Sequence, residues 1–97
     1  MEIMKSGSAG ELLVALKGRL DTTTAPQLEA ELGGLEEVNA LALDFSGLEY
    51  ISSAGLRVLL SAQKIMSKKG GMVLRNVNDA VREVFDITGF SDILTIE

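Results

Sequence analysis

Ninety-seven residues fit one small domain built round a single core. Nine basic against fourteen acidic residues give a formal charge of -5. The basic residues are scattered apart from Lys68-Lys69, a pattern that speaks against a nucleic-acid partner. Cys and His are both absent, which excludes disulfides, zinc sites with the usual ligands and His-dependent nucleophilic pairs. No apolar run reaches the roughly 18 residues of a membrane span. Met1 to Lys5 lacks a basic segment followed by an apolar one, so no secretory signal is expected and a cytoplasmic location is.

Met1 to Lys5 reads as a short edge strand, and Ser6-Gly7-Ser8-Ala9-Gly10 as a turn by composition. Glu11 to Leu20 reads as a second strand, hairpin-paired with the first. Asp21-Thr22-Thr23-Thr24 is a polar approach to a helix. Thr24 and Gln27 have capping-box spacing, and Pro26 falls in the first turn, where its missing amide costs nothing. Leu28, Ala30, Leu32 and Leu35 supply the apolar side, and Gly33-Gly34 supplies the stop.

The stretch Ala40 to Met66 organises the rest. Leu41 to Phe45 is short and mostly apolar and carries Asp44 near its end, the pattern of a buried parallel strand. Ser46-Gly47 and Glu49-Tyr50 read as a polar break. Ser52 and Ser53 then precede a long helix, expected from about Ser53 to Lys69, with Ala54, Val58, Leu59, Ala62, Ile65 and Met66 on its apolar side. Gly70-Gly71 ends it. Met72, Val73, Leu74 and Val77 give another buried strand. Asn78 or Asp79 caps a third helix with Ala80, Val81, Val84 and Phe85 inward. Thr88-Gly89 breaks that helix, Phe90 anchors the turn, and Ile93 to Ile96 reads as a final strand or a short helical start. Strands alternating with helices on short connections predict an α/β domain: a mostly parallel or mixed sheet of four to five strands, packed with about three helices.

The types and spacings that catalysis requires are missing, and no enzymatic activity is expected. Asp21 and Asp44 are conceivable as paired carboxylates, but nothing in the sequence fixes their separation. Neither GxxxxGK[ST] nor GxGxxG occurs, so no nucleotide loop, cofactor or metal is predicted. Ser52 and Ser53 carry two readings. One is plain capping of the helix amides, a contribution of roughly 0.5–2 kcal/mol. The other is phosphorylation, because a phosphate at a helix start meets unpaired amides and the favourable end of the dipole. Arg57, one turn on from Ser53, is positioned to pair with such a phosphate or simply to be solvated. Periodicity does not rank the two serines.

The segment ALDFSGLEYISSAGLRVLLSAQKIMSKKGGMVLRNVNDAVREVFDITGF resembles a STAS domain of the bacterial anti-anti-sigma factor group, the anti-sigma factor antagonists. Upstream, KGRLDTTTAPQLEAEL is similar to that family's Gly-x-Leu-Asp segment and first helix. Together they span roughly Leu12 to Ile96. Leu20-Asp21, Asp44-Phe45-Ser46, Ser53-Ala54-Gly55-Leu56 and Phe85-Asp86-Ile87-Thr88-Gly89-Phe90 make the combination specific.

The resemblance implies a partner-switching protein. The unmodified domain would bind an anti-sigma factor that is also a GHKL-type serine kinase, releasing the sigma factor. Phosphorylation would switch that binding off, and a PP2C-type phosphatase would restore it. The phosphoacceptor lies two residues before the motif glycine and carries over onto Ser53, with Ser52 as runner-up. Asp21, Ser52, Ser53, Gly55 and Arg57 would mark the partner-binding surface, Asp21 having turn formation as its plainer role. Three features depart from the pattern. Ser52 stands where Asp is common, and Ala54 stands where Ser or Thr is common, which removes a competing hydroxyl. The family also continues into a further C-terminal helix, which is expected to be absent from a chain ending at Ile96-Glu97. The alternative from another class is a STAS interaction subunit of a transport or signalling assembly, in which the serines only cap. Small-molecule binding is a third, for which no pocket chemistry is visible.

Overall fold

A computed structural model describes residues 1–8 and 10–97. The elements run β1 (Glu2–Ser8), β2 (Glu11–Leu20), α1 (Ala25–Glu31), a 3-10 turn (Leu35–Glu37), β3 (Ala40–Ile51), α2 (Ser53–Met66), β4 (Met72–Arg75), α3 (Asp79–Thr88), a second 3-10 turn (Phe90–Asp92) and β5 (Thr95–Ile96). The sheet order is β1-β2-β3-β4-β5, with only β1 antiparallel to its neighbour. This is the expected α/β domain with a mixed, mostly parallel sheet. Its three parallel crossovers all step the same way across the sheet. Right-handed connections therefore carry α1, α2 and α3 to one face.

That face holds the core. Val14, Leu43 and Leu74 lie in register, as do Leu41 and Met72, and all are buried beneath Leu28, Leu59, Met66 and Phe85. Each such side chain contributes about 1.5–3 kcal/mol by leaving water. The opposite face carries Leu13, Ala42 and Val73 in one row and Ala15, Asp44 and Arg75 in the next, none of them fully buried.

The polar break expected at Ser46-Gly47 and Glu49-Tyr50 does not form. β3 runs on through both to Ile51. Its pairing to β2 slips twice: Ala15 pairs Asp44 but Lys17 pairs Gly47, and Gly18 pairs Leu48 but Arg19 pairs Tyr50. Each slip inserts one extra residue in β3, a bulge. The buried positions accordingly change from every second residue (Leu41, Leu43, Phe45) to every third (Leu48, Ile51). The strand keeps its inner face while its sequence ceases to alternate. Gly47 lies at the first slip, where a Cβ would stand 3.0 Å from the Leu16 carbonyl oxygen.

Smaller differences have local causes. β1 extends to Ser8, so Ser6 to Ser8 are strand rather than turn; Ala9 lies outside the described residues. The capping box at Thr24 is not made, because its hydroxyl is engaged on the strand side, donating to the Arg19 carbonyl at 2.8 Å and accepting from the Asp21 amide at 2.8 Å. α2 stops at Met66, and the chain turns through Gly70 to Gly71. β4 ends at Arg75, with Val77 beyond it, and Ala80 is exposed on α3 while Val81 and Phe85 are buried. Asn78 is the cap of α3: its side-chain oxygen accepts from the Val81 amide and its amide donates to the Leu48 carbonyl, both at 2.8 Å.

Candidate functional site

The two serines that periodicity leaves unranked take different positions. Ser52 is the N-cap of α2, in extended conformation, and its hydroxyl accepts from the Gly55 amide at 3.4 Å. Its own amide donates to the Leu20 carbonyl at 2.9 Å, hooking the helix start to the end of β2. Ser53 is the first helical residue. It is exposed, and among the described residues its hydroxyl makes no hydrogen bond. A phosphoryl group on it would stand by the unpaired amides of the first turn. Since the Ser52 cap bond is long, Ser52→Ala is expected to cost only about 0.5–1 kcal/mol in urea unfolding, at the low end for caps.

Gly55 is buried rather than part of the surface. A Cβ there would stand 2.7 Å from Leu20 Cγ and 3.0 Å from Ile51 Cγ1. Glycine lets α2 sit down on β2 and β3, and so it positions Ser53 from below. Arg57 is exposed on α2, four residues from Ser53 and hence on the same helix face, with Cβ atoms about 5–6 Å apart in such pairs. It borders a cleft of about 160 Å³ between α1 and α2, alongside Thr22, Pro26 and Glu29.

Asp21 follows Leu20 directly and joins the same end of the sheet. Its Oδ1 accepts from the Thr23 hydroxyl at 2.7 Å, the Thr23 amide at 3.0 Å and the Thr24 amide at 3.2 Å. These bonds, the Thr23 hydroxyl first, hold its carboxyl below the usual carboxylate value. The turn role is thus realised on one oxygen, while Oδ2 lies 4.0 Å from Arg19 Nε. A carboxyl with a lowered folded pKa stabilises above its unfolded value, near 3.8, and loses that contribution as pH falls through the folded value. Asp21→Asn, which keeps an acceptor but not a charge, is expected to flatten the loss of urea stability below about pH 4.

Asp44 is not at a strand end. It sits opposite Ala15 in mid-sheet, five residues short of the Leu20–Ile51 pair on the β2 side, about 17 Å of strand. Asp21 and Asp44 therefore form no carboxylate pair. Asp44 Oδ1 accepts from Asn76 Nδ2 at 3.0 Å and from the Ser46 amide at 2.9 Å, joining the first bulge of β3 to the exit of β4. The Asn76 bond, then the Ser46 amide, lowers its pKa. Asn76 itself has a left-handed backbone, φ 58°, which Asn tolerates better than most side chains.

Among the described residues no group of three or more His, Cys, Asp or Glu side chains could hold a metal ion, and no helix is long and apolar enough to cross a membrane. The structure brings together Asp21, Ser52, Ser53 and Arg57 at the carboxyl ends of β2 and β3, with Gly55 beneath. It adds Arg19 and Tyr50, which sequence reasoning did not single out. Their pairing depends on the second bulge, and no simple alternation places them side by side.

The profile of the STAS domain matches residues 2–97. BtrV of Bordetella bronchiseptica, named as an anti-sigma factor antagonist, is 42% identical over 90 residues, covering 90% of this chain and 78% of that protein. The anti-sigma-B factor antagonist of Bacillus subtilis is 34% identical over 88 residues, covering 89% of this chain and 81% of that protein. The crystal structure of an anti-sigma factor antagonist from Mycobacterium paratuberculosis superposes with a TM-score of 0.87 at 26% identity, covering 98% of this chain and 83% of that one. With its sheet order, its capped central helix and these relatives, the chain belongs to the STAS domain family.

Proposed function

We propose that this protein is an anti-sigma factor antagonist whose unphosphorylated form binds an anti-sigma factor and whose phosphorylation at Ser53 ends that binding. The observation that carries the assignment to Ser53 is the division of labour at the start of α2. Ser52 is engaged as the cap, and Ser53 presents an exposed hydroxyl on the first turn. The relatives at 42% and 34% identity, both named as antagonists, support the binding role.

The switch works by exclusion. Phosphorylation adds about -1.5 to -2 of charge to a surface that docking must strip of water. Within the free domain that charge is tolerated, because it meets the amides of the first turn, and Arg57 one turn on is within reach to pair with it. No refolding is needed, so the signal is carried by the docking surface itself. The protein is a binding module and not an enzyme; phosphoryl transfer belongs to its partners, a GHKL-type serine kinase that is the anti-sigma factor and a PP2C-type phosphatase. Asp21 Oδ2 and Arg57 border the same surface and would meet the partner directly, while Gly55 acts by holding the helix in place.

Incubation with the kinase and ATP followed by peptide mass spectrometry tests the site. One phosphate on Ser53 is expected, retained in Ser52→Ala and lost in Ser53→Ala. A phosphate that survives Ser53→Ala but disappears in Ser52→Ala would move the switch to the capping residue. No incorporation, with intact binding to a transport or signalling partner, would make the domain a plain interaction subunit.

A further inference from the structure

Arg19 and Tyr50 are register partners at the carboxyl ends of β2 and β3, next to the Leu20–Ile51 pair. Leu20 and Ile51 are buried toward the helices, so Arg19 and Tyr50 project from the opposite side of the sheet. The guanidinium carbon lies 4.3 Å from the centre of the Tyr50 ring, a cation–π stack. Both remain open to solvent: Tyr50 is 41% exposed and the Arg19 side chain 60%. The acidic neighbour Asp21 Oδ2 is 4.0 Å from Nε, at the outer limit of an ion pair. The terminal nitrogens of Arg19 donate no hydrogen bond among the described residues.

The backbone beneath this pair is tied to the phosphoacceptor. The Ser52 amide holds the Leu20 carbonyl at 2.9 Å, and the Thr24 hydroxyl holds the Arg19 carbonyl at 2.8 Å. Arg19, Tyr50, Asp21 and Ser53 therefore all stand where β2 and β3 finish, Arg19 and Tyr50 on the sheet face away from the helices. Stacking on Tyr50 restricts the rotamers of Arg19 before any partner arrives, which lowers the entropy cost of using it. Tyr and Arg are the residue types that most often dominate interface energy. On a chain of net charge -5, an exposed Arg with free donors discriminates sharply in favour of an acidic group opposite.

We propose that the Arg19–Tyr50 stack selects the partner: it receives a carboxylate side chain of the anti-sigma factor on the free edge of the guanidinium, while the Tyr50 ring holds that edge in place. This rests on the docking role proposed above. A purely structural cross-strand pair would instead show itself in stability.

The test is calorimetric titration of the purified anti-sigma factor with wild-type protein and with Arg19→Glu, Arg19→Gln, Tyr50→Ala and Ser53→Asp. Arg19→Glu is expected to weaken binding about 30-fold or more, and Arg19→Gln and Tyr50→Ala about tenfold. Urea midpoints should change little, and KM for phosphorylation should rise while kcat holds. Binding within twofold of wild type for Arg19→Glu and Arg19→Gln, with binding lost in Ser53→Asp, would overturn the stack as selector and leave the docking role standing. A wild-type protein that does not bind would overturn both. Should Tyr50→Ala not fold, the two Arg19 variants decide the matter, since they keep the ring.

Discussion

Ser53→Asp is expected to weaken anti-sigma factor binding by about 100-fold, whereas Ser53→Ala should bind as well as wild type and resist phosphorylation. An unpaired charge placed where a partner must exclude water costs about 2–5 kcal/mol, equivalent to some 30- to several-thousand-fold in affinity. A carboxylate carries less charge than a phosphate, so the mimic should fall short of the modification itself. The loss cannot come from unfolding. Position 53 is the first residue of α2, where a negative charge stabilises the helix by about 0.3–1 kcal/mol. Thermal melts of Ser53→Asp should therefore match or exceed wild type while titration shows weakened binding. Weakened binding together with a lowered melting temperature would instead point to damage of the fold.

Gly55→Val should produce the largest loss of stability connected with the site. A single added Cβ already meets Leu20 Cγ at 2.7 Å, Leu20 Cδ2 at 2.9 Å and Ile51 Cγ1 at 3.0 Å. Leu20 is fully buried and Ile51 is 3% exposed, so neither has free space into which to retreat. Overpacking of this kind costs about 1–3 kcal/mol, and a branched side chain belongs at the upper end. Replacing glycine inside a helix returns less than about 1 kcal/mol of backbone propensity. The balance is about 2 kcal/mol of destabilisation for Val and less for Ala, read as a lower urea midpoint with unchanged slope. Because Leu20 also carries the carbonyl that receives the Ser52 amide, relief of the clash would shift the cap and Ser53 with it. Slower phosphorylation in Gly55→Ala, beyond what its stability loss explains, would be the functional trace. An unchanged midpoint in both variants would mean that α2 can slide outward freely.

The fold class was legible because the local signals agree with one another. Apolar runs in β2, β3 and β4 alternate with helices that carry ordinary start and stop residues, and of the two cap candidates Asn78 and Asp79 it is Asn78 that caps α3. What was not legible was the far half of β3. Its two bulges replace a two-residue rhythm by a three-residue one, so Ser46-Gly47 and Glu49-Tyr50 mimic a turn while remaining paired to β2. That concealed the position of Asp44 and the meeting of Arg19 with Tyr50. Thr24 illustrates the same limit on a smaller scale: its capping spacing is present, but the Arg19 carbonyl claims its hydroxyl.

The site was partly legible. Motif likeness directed attention to Ser53, and the expected cluster of Asp21, Ser52 and Ser53 is brought together by the bond from the Ser52 amide to Leu20. Ser52 and Ser53 are chemically identical and adjacent, so only the backbone geometry at the strand–helix junction separates cap from free hydroxyl. Gly55 belongs to the motif, but its burial follows from how closely α2 approaches β2, a tertiary fact. Arg57 stands where helix geometry puts it, on the Ser53 side of α2.

Affinity for the anti-sigma factor measured on one preparation before kinase treatment, after complete phosphorylation, and after phosphatase treatment tests the partner switch most directly. Tight binding, loss of at least about 100-fold, and full recovery are expected, with the modified residue identified as Ser53. Equal affinity in all three states, with Ser53 fully phosphorylated in the second, would contradict it.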